Sequence, residues 1–207
     1  TAQDDKVDYG DEDPSTIGHC RGAHLAALFV RTLLRTIVRE WDRMDKYRID
    51  KFYTLLRYLM REIYTYMKVR HWNLGIIRLF NDSLFEEVLS KLPNGVRYHL
   101  IDVVLQELGQ VQSDDPITEA VFVDIFEPFF AMARTGAGGD DTIHNRVVEK
   151  ILVQFLDSSV FSRDDDKVVF SQVHVGTISR FIFEIASDTA TPDEYRKNLY
   201  DVHKRYE

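Results

Sequence analysis

Basic side chains recur at helical spacing in the first third of the chain, and their cationic groups are suited to binding phosphate or carboxylate. Four arginines fall every fourth residue: Arg31, Arg35, Arg39 and Arg43. Five further cations of the same segment complete the set: Lys46, Arg57, Arg61, Lys68 and Arg70. We expect this set to bind phosphate or an acidic partner.

The arginines need a helix to hold them in a row, and the apolar residues between them indicate one. Leu33, Ile37 and Trp41 also fall every fourth residue, two positions out of phase with the arginines. At about 100° per residue, this offset places the two sets on nearly opposite sides of a helix. Asp45 is a typical N-cap residue, so the pattern predicts a second amphipathic helix directly after a short turn.

Charge is unevenly distributed along the sequence. Residues 31–70 contain 11 Lys and Arg against 5 Asp and Glu, a net charge of +6. Residues 1–30 carry −4 and residues 71–207 carry −10, so the whole chain carries −8. The basic segment therefore favours local docking, while the acidic remainder would repel bulk nucleic acid. The alternative is a solvated helix face with intrahelical pairs such as Arg39 with Asp42.

The remaining sequence predicts an all-α fold of about eight helices. Turn residues separate amphipathic stretches at about His24–Asp42, Lys46–Val69, Asn73–Leu92, Val96–Val111, Ile117–Arg134, Thr142–Leu156, Ser171–Ser187 and from Pro192 onward. Such hairpins pack as antiparallel neighbours in a HEAT-like α-solenoid or a compact helical array. We expect residues 1–16 to form an acidic disordered tail or loop, and residues 17–207 a single helical domain.

Two local features refine this outline. Pro128 lies inside the predicted fifth helix, so we expect a kink near Asp124–Pro128 or two shorter helices. A charged loop is predicted from Arg163 to Lys167. The apolar stretches are interrupted by charges, so no membrane span is predicted, and the single Cys20 excludes an internal disulfide.

Residues that could bind a metal or carry out catalysis do not form a recognisable motif. His19, Cys20 and His24 could supply zinc ligands, but the chain has no second cysteine to complete a familiar pattern. Glu86 and Glu87 are adjacent, so they do not face each other on a helix, and we interpret them as surface or cap residues. His99, among apolar neighbours, is predicted to be a hydrogen-bonded packing residue. We therefore expect no metal, no cofactor and no enzymatic activity.

Four blocks of the sequence occur in the order found in a known family. The first is REWDRMDKYRIDKFYTLLRYLMRE at 39–62, followed by LPNGVRYHLIDVVLQEL at 92–108, IFEPFFAMARTG at 125–136 and FIFEIASDTATPDEYRKNLYDVHKRY at 181–206. They resemble the ribosomal RNA processing protein one family, also called the nucleolar Nop fifty-two family. The resemblance spans about residues 25–206. The family's N-terminal Trp-rich block and its basic C-terminal tail have no counterpart here, so we expect the ordered core of a longer protein.

The resemblance implies a nuclear, mainly nucleolar, non-catalytic scaffold for assembly of the large ribosomal subunit and processing of pre-rRNA. It implies other assembly factors and pre-ribosomal RNA as partners, with no membrane and no small-molecule substrate. The basic segment would then meet RNA phosphate or an acidic protein. The alternative is a purely protein-binding helical adaptor, whose acidic faces bind basic peptides without any RNA contact.

Overall fold

The computed structural model describes residues 14–90, 93–112, 115–160 and 169–206, with side chains from residue 21 onward except at 158–160. All regular secondary structure in these ranges is helical, which confirms the predicted all-α class. The helices are α1 (Pro14–Glu40), α2 (Lys46–Val69), α3 (Leu74–Leu84), α4 (Asn94–Val111), α5 (Glu119–Gly139), α6 (Asp141–Val147), α7 (Gln154–Val160), α8 (Val175–Ser187) and α9 (Asp193–Tyr206). A 3-10 turn, Trp41–Arg43, follows α1, and π-helical turns at Phe85–Leu89 and Val148–Val153 extend α3 and join α6 to α7.

The helices form two layers, because each of the first helices packs mainly on the helix two places further along the chain. Helix α1 packs on α3 and α3 on α5, while α2 packs on α4 and α4 on α6 and the π turn that follows it. Helices α8 and α9 pack on each other and on α5. This arrangement agrees with the predicted array of helical hairpins.

The core side of α1 follows the helical period closely. Its buried apolar residues are Ala23, Ala27, Val30, Leu34, Ile37 and Trp41, at spacings of three and four. Ile37 and Trp41 were expected on this face, whereas Leu33 is only half-buried because Leu34 occupies the centre of the stripe. The predicted opposition of apolar and basic faces is therefore correct in direction but shifted by about one residue.

Helix boundaries agree with the sequence pattern best where a capping residue marks them. The side chain of Asp45 accepts hydrogen bonds from the backbone amides of Tyr47 and Arg48 at 2.9 and 3.0 Å, so its predicted N-cap role is confirmed. Helix α1 begins ten residues before the predicted start, at Pro14. Residues 1–13 of the predicted acidic tail, and the charged loop predicted at 163–167, lie outside the described residues.

The structure does not divide α5 into two helices at Pro128, which was one of the two outcomes predicted there. The backbone of α5 keeps helical dihedral angles at Pro128, and its non-helical angles are confined to Gly136, Ala137 and Gly138. Glycine tolerates the positive φ of 58° at Gly136 and 97° at Gly138 without the cost that a β-carbon adds. The chain therefore turns at the glycine-rich end of α5, and Pro128 stays inside the helix.

Candidate docking surface on the first two helices

Arg31 and Arg35 extend from α1 to a carboxylate on the π turn that follows α3. Arg31 Nε lies 3.0 Å from Glu87 Oε1, and Arg35 contacts the two oxygens of the same carboxylate at 2.6 and 3.0 Å. Arg31 also pairs with Glu86. The Glu87 side chain is only 2% exposed, so these arginines neutralise a buried charge. The expectation that Glu87 is a surface or cap residue is therefore wrong.

Arg57 and Arg61 make the equivalent contact from α2 to α4. Both donate to Glu107, with Arg61 Nε at 2.7 Å from Oε2, and Arg61 also donates to Gln110 at 2.6 Å. The Glu107 side chain is fully buried. Its hydrogen bond raises the pKa of Arg61, as that of Glu87 raises the pKa of Arg35. The positive charges of Arg35 and Arg61 are therefore stabilised by the fold itself.

The contacts at Glu87 and Glu107 have the same arrangement, one in each layer. In each, arginines four residues apart on one helix converge on a buried glutamate of the next helix in the same layer. Glu86, Glu87 and Glu107 all lie outside residues 31–70, and their three charges lower the net +6 of that segment to a local +3. Four of the nine predicted site residues thus join neighbouring helices within each layer.

The far end of α1 and the turn into α2 present their cations differently. The side chains of Arg39 and Arg43 are 69% and 82% exposed, and both pair with Glu40, at 2.7 and 3.5 Å. The expected partner of Arg39 was Asp42, and the structure assigns Glu40 in its place. The Arg39 guanidinium holds the pKa of Glu40 below its ordinary value. These surface pairs are weak and leave the guanidinium groups accessible to solvent.

Lys46 and its neighbour Tyr47 extend this exposed region to the start of α2. The Lys46 ammonium lies 5.0 Å from the centre of the Tyr47 ring, and Tyr47 is 78% exposed. An exposed aromatic ring beside cations is the combination that stacks on unpaired bases. The turn between α1 and α2 therefore combines exposed cations with an exposed aromatic ring, two features of RNA-binding surfaces.

Lys68 and Arg70 lie at the other end of α2. Lys68 Nζ donates to the carbonyl oxygen of Val111 at 2.8 Å, which ties the end of α2 to the end of α4. The Arg70 guanidinium lies over the ring of Tyr66, 3.4 Å from its centre. The structure thus separates the nine predicted residues into an accessible group at the α1–α2 turn and several groups occupied by contacts within the protein.

His99 makes contacts within the fold. His99 Nε2 lies 2.8 Å from the carbonyl oxygen of Tyr53, and the two rings are 4.4 Å apart, which confirms the predicted packing role of His99. No group of three or more potential metal ligands occurs in the part of the chain that the structure describes, and the side chains of His19 and Cys20 lie outside it. Within the same ranges, no helix is both long and apolar enough to cross a bilayer.

Sequence reasoning missed Glu87 and Glu107 as the partners of the arginines. Each stands next to buried apolar residues, Val88 and Leu89 in one case and Leu108 in the other. A carboxylate within an apolar run is the one local signal that could have indicated a buried, paired charge.

Comparison with known proteins identifies the family of the chain. The model of the family described as nucleolar protein Nop52 matches residues 12–198. The ribosomal RNA processing protein 1 homolog B of Homo sapiens is 33% identical over 139 residues, 65% of this chain and 18% of that protein. Its Mus musculus counterpart is 35% identical over 135 residues, 64% of this chain and 18% of that protein.

Homolog A of Homo sapiens is 28% identical over 141 residues, which are 67% of this chain and 30% of that protein. The chain therefore spans less than a third of the length of these three relatives. The match to the family model covers most of the chain and takes in the first three sequence blocks quoted above and most of the fourth. The chain belongs to the nucleolar Nop52 family.

Proposed function

We propose that this chain is the helical core of a non-catalytic scaffold that acts in the nucleolus during rRNA processing and assembly of the large ribosomal subunit. The observation that carries the proposal is the family match over residues 12–198, together with relatives named ribosomal RNA processing proteins. The two-layer helical array supports it as well, because such arrays present extended surfaces to other macromolecules. Its partners would be other assembly factors and pre-rRNA.

Within this scaffold, the contact with RNA phosphate is made at the turn between α1 and α2. Arg39, Arg43 and Lys46 are exposed there, beside the exposed ring of Tyr47. Arg31, Arg35, Arg57 and Arg61 approach the same phosphates only as groups already paired with buried carboxylates. The outer cations therefore supply most of the electrostatic attraction.

Charge reversal at the turn tests this contact. We expect Arg39→Glu, Arg43→Glu and Lys46→Glu together to weaken binding of a single-stranded pre-rRNA fragment at least about tenfold at physiological salt. The slope of log affinity against log salt should fall by about 2, since each lost phosphate contact on a single strand removes about 0.7. Binding is measured by fluorescence anisotropy over a salt series, and by co-purification of the variant with pre-ribosomal particles.

A matched control makes the same charge change elsewhere. Lys197, Lys204 and Arg205 are exposed on α9, and their replacement by Glu alters the total charge equally. This control variant should retain most of the affinity for the fragment. If the two triple variants bind equally, or if the α1–α2 variant binds as well as the unchanged chain, the turn has no role in RNA binding.

A second function, a protein-binding adaptor without RNA contact, is favoured by a notch between α3 and α5. The notch has a volume of about 170 Å³ and an apolar floor that includes Phe85 and Pro128. The carboxylates of Asp82 and Glu127 also line it and give it negative charge. A basic peptide fits this chemistry. Under this reading, RNA crosslinking in cells should give no crosslinks to residues 31–70.

A further inference from the structure

An open, mainly apolar groove lies between α1 and α2. Its volume is about 360 Å³. Phe29 and Val30 of α1 line one wall, Ile63 and Val69 of α2 line the other, and Phe80 of α3 also contributes to the lining. The groove therefore has walls from two helices, an arrangement that can accept a third helix between them.

Exposed apolar side chains are concentrated on the two helices that form this groove. Of the eleven large apolar side chains that are exposed in the described residues, seven lie on the first two helices: Leu25, Leu28, Phe29, Tyr47, Leu55, Tyr58 and Val69. Phe29 and Val69, which line the groove, are 66% and 69% exposed. Exposed apolar surface at a groove is typical of an interaction site.

Two polar groups in the groove lack partners. The hydroxyl of Tyr66 and the Nε of Arg70 are buried, and neither has a hydrogen-bond partner in the described structure. Both residues line the groove. A buried donor without an acceptor costs free energy, so an incoming carboxylate that accepts from Arg70 would be stabilised there.

We propose that this groove binds an amphipathic helix of a partner protein, whose apolar face contacts Phe29 and Val69 and whose acidic flank pairs with Arg70. Helix-in-groove recognition uses apolar anchors at positions i, i+3 or i+4, and i+7, a span of about two turns that fits within the roughly three turns of α2 lining the groove. The proposal does not depend on RNA binding by the α1–α2 turn, which lies at the opposite end of α2.

Charge distinguishes this partner from a second copy of the chain. Helix α1 also has an outer apolar stripe, Leu25, Leu28 and Phe29, and could in principle enter the groove of another molecule. However, α1 contains no Asp or Glu before Glu40, so a second copy that inserted this stripe would bring no carboxylate to Arg70. A partner helix with an acidic flank supplies that carboxylate. Because Glu62 also lines the groove, the acidic flank is placed at the Arg70 end.

The test uses the full 207-residue chain and two fluorescent peptides of about five helical turns, longer than the roughly three turns of α2 that line the groove. Both peptides carry Leu at i, i+3, i+4 and i+7, and their flanking residues are Glu in one and Lys in the other. We expect the Glu peptide to bind at least about tenfold more tightly by fluorescence anisotropy. Phe29→Ser with Val69→Asp should weaken its binding at least about tenfold, while Arg70→Gln should abolish the preference for Glu over Lys.

The matched control is Phe183→Ser, which removes an exposed aromatic residue from α8. This control should bind the Glu peptide as the unchanged chain does. The proposal is overturned if neither peptide binds at up to about 1 mM, if both bind equally, or if the groove variant binds like the control. It is also overturned if sedimentation equilibrium detects a dimer that Phe29→Ser with Val69→Asp dissociates, because the groove then belongs to a second copy.

Discussion

The side-chain amide of Asn81 donates a hydrogen bond to the backbone carbonyl of Asp124 at 2.8 Å. Asp124 precedes Pro128 by four residues, so its carbonyl is the one that would accept from the amide that proline lacks. Asn81 lies in α3 and is 8% exposed. A side chain from the neighbouring helix thus replaces the missing backbone donor, and it joins α3 to α5 at the same point.

Replacement of Asn81 by Ala should lower the free energy of unfolding by about 1–3 kcal/mol, because the Asp124 carbonyl would be left without a donor. In a Pro128→Ala background the cost should be smaller by about 1 kcal/mol, since an alanine in place of the proline restores a backbone amide. Urea unfolding followed by circular dichroism measures all four proteins of this double-mutant cycle. Equal costs of Asn81→Ala in the two backgrounds would contradict the compensation.

Glu107, on α4, is a buried carboxylate that pairs with two arginines of α2. Glu107→Gln keeps the shape of the side chain but removes the charge that holds Arg57 and Arg61. We expect the free energy of unfolding to fall by about 1–3 kcal/mol, because both arginines are about one-third exposed and stay partly hydrated. Thermal and urea unfolding of the variant measure this change.

Glu184→Gln is the matched control for Glu107→Gln, because Glu184 is exposed on α8. This replacement should change stability by no more than about 0.5 kcal/mol. A Glu107→Gln protein that unfolds at the same denaturant concentration as the control would show that the buried carboxylate contributes nothing to the packing of α2 on α4.

These contacts explain which parts of the structure the sequence could predict. The bounds of α2 were predictable because Asp45 caps its start and apolar residues repeat at helical spacing along it. The continuity of α5 through Pro128 was not predictable from local sequence. The side chain that donates to the Asp124 carbonyl belongs to Asn81, which is 43 residues away in the sequence. Proline does remove a backbone donor from α5, as the sequence indicates, but the distant Asn81 side chain supplies a donor in its place.

The same limit applies to the candidate site. Periodicity places Arg31, Arg35, Arg39 and Arg43 on one side of α1, but it cannot say which of them meets a neighbouring helix. Glu87 is 56 residues from Arg31 in sequence. Because the π turn of α3 approaches only the first half of the row, Arg31 and Arg35 are paired across helices while Arg39 and Arg43 remain at the surface.

Close packing of Gly109 against the segment after α7 gives a third prediction. A β-carbon at Gly109, inside α4, would lie 2.7 Å from Cγ1 of Val169. Ala would otherwise favour a helix by about 1 kcal/mol over Gly. We expect Gly109→Ala to destabilise by about 1–3 kcal/mol in the unchanged chain because of the overlap, and to become neutral or stabilising in a Val169→Ala background.

The control for this prediction is Gly176→Ala in α8, where an added β-carbon meets nothing within 4 Å. Only the helix propensity acts at that position, so the substitution should be neutral or stabilise by up to about 1 kcal/mol. Chemical unfolding compares the variants. If Gly109→Ala is as well tolerated as Gly176→Ala, residue 169 does not pack on α4 in the way described.

His144 is buried where α6, α5 and α9 meet, and its contacts favour the neutral ring. Its Nδ1 lies 2.6 Å from the carbonyl oxygen of Ala133, so Nδ1 carries the proton and donates. Nε2 lies 3.0 Å from the amide nitrogen of Asn198, which donates to it. The ring also stacks on Tyr195 with centres 4.0 Å apart. A second proton, on Nε2, would point at the amide group of Asn198, which is itself a donor, so the protonated ring would lose this hydrogen bond.

Burial lowers the pKa of His144 below its ordinary 6.5, although the Ala133 hydrogen bond and the charge of Asp141 act in the opposite direction. Well above pH 6.5 the ring is neutral in both folded and unfolded chains. As the pH falls through that value, the unfolded chain takes up a proton that the folded chain does not. Stability is therefore expected to decline on acidification, by at most about 1.4 kcal/mol per pH unit for this group.

His144→Gln should reduce this decline between about pH 7.5 and about pH 5.5, because one of the protons that favour unfolding is removed. Burial also lowers the pKa of His99, so part of the pH dependence should remain in the variant. Urea unfolding at each pH measures the slope, and His174→Gln, at an exposed histidine, serves as the matched control. If His144→Gln and His174→Gln give the same slope, His144 takes up its second proton as readily in the folded chain as in the unfolded one, and the hydrogen bonds at its two nitrogens do not hold the ring neutral.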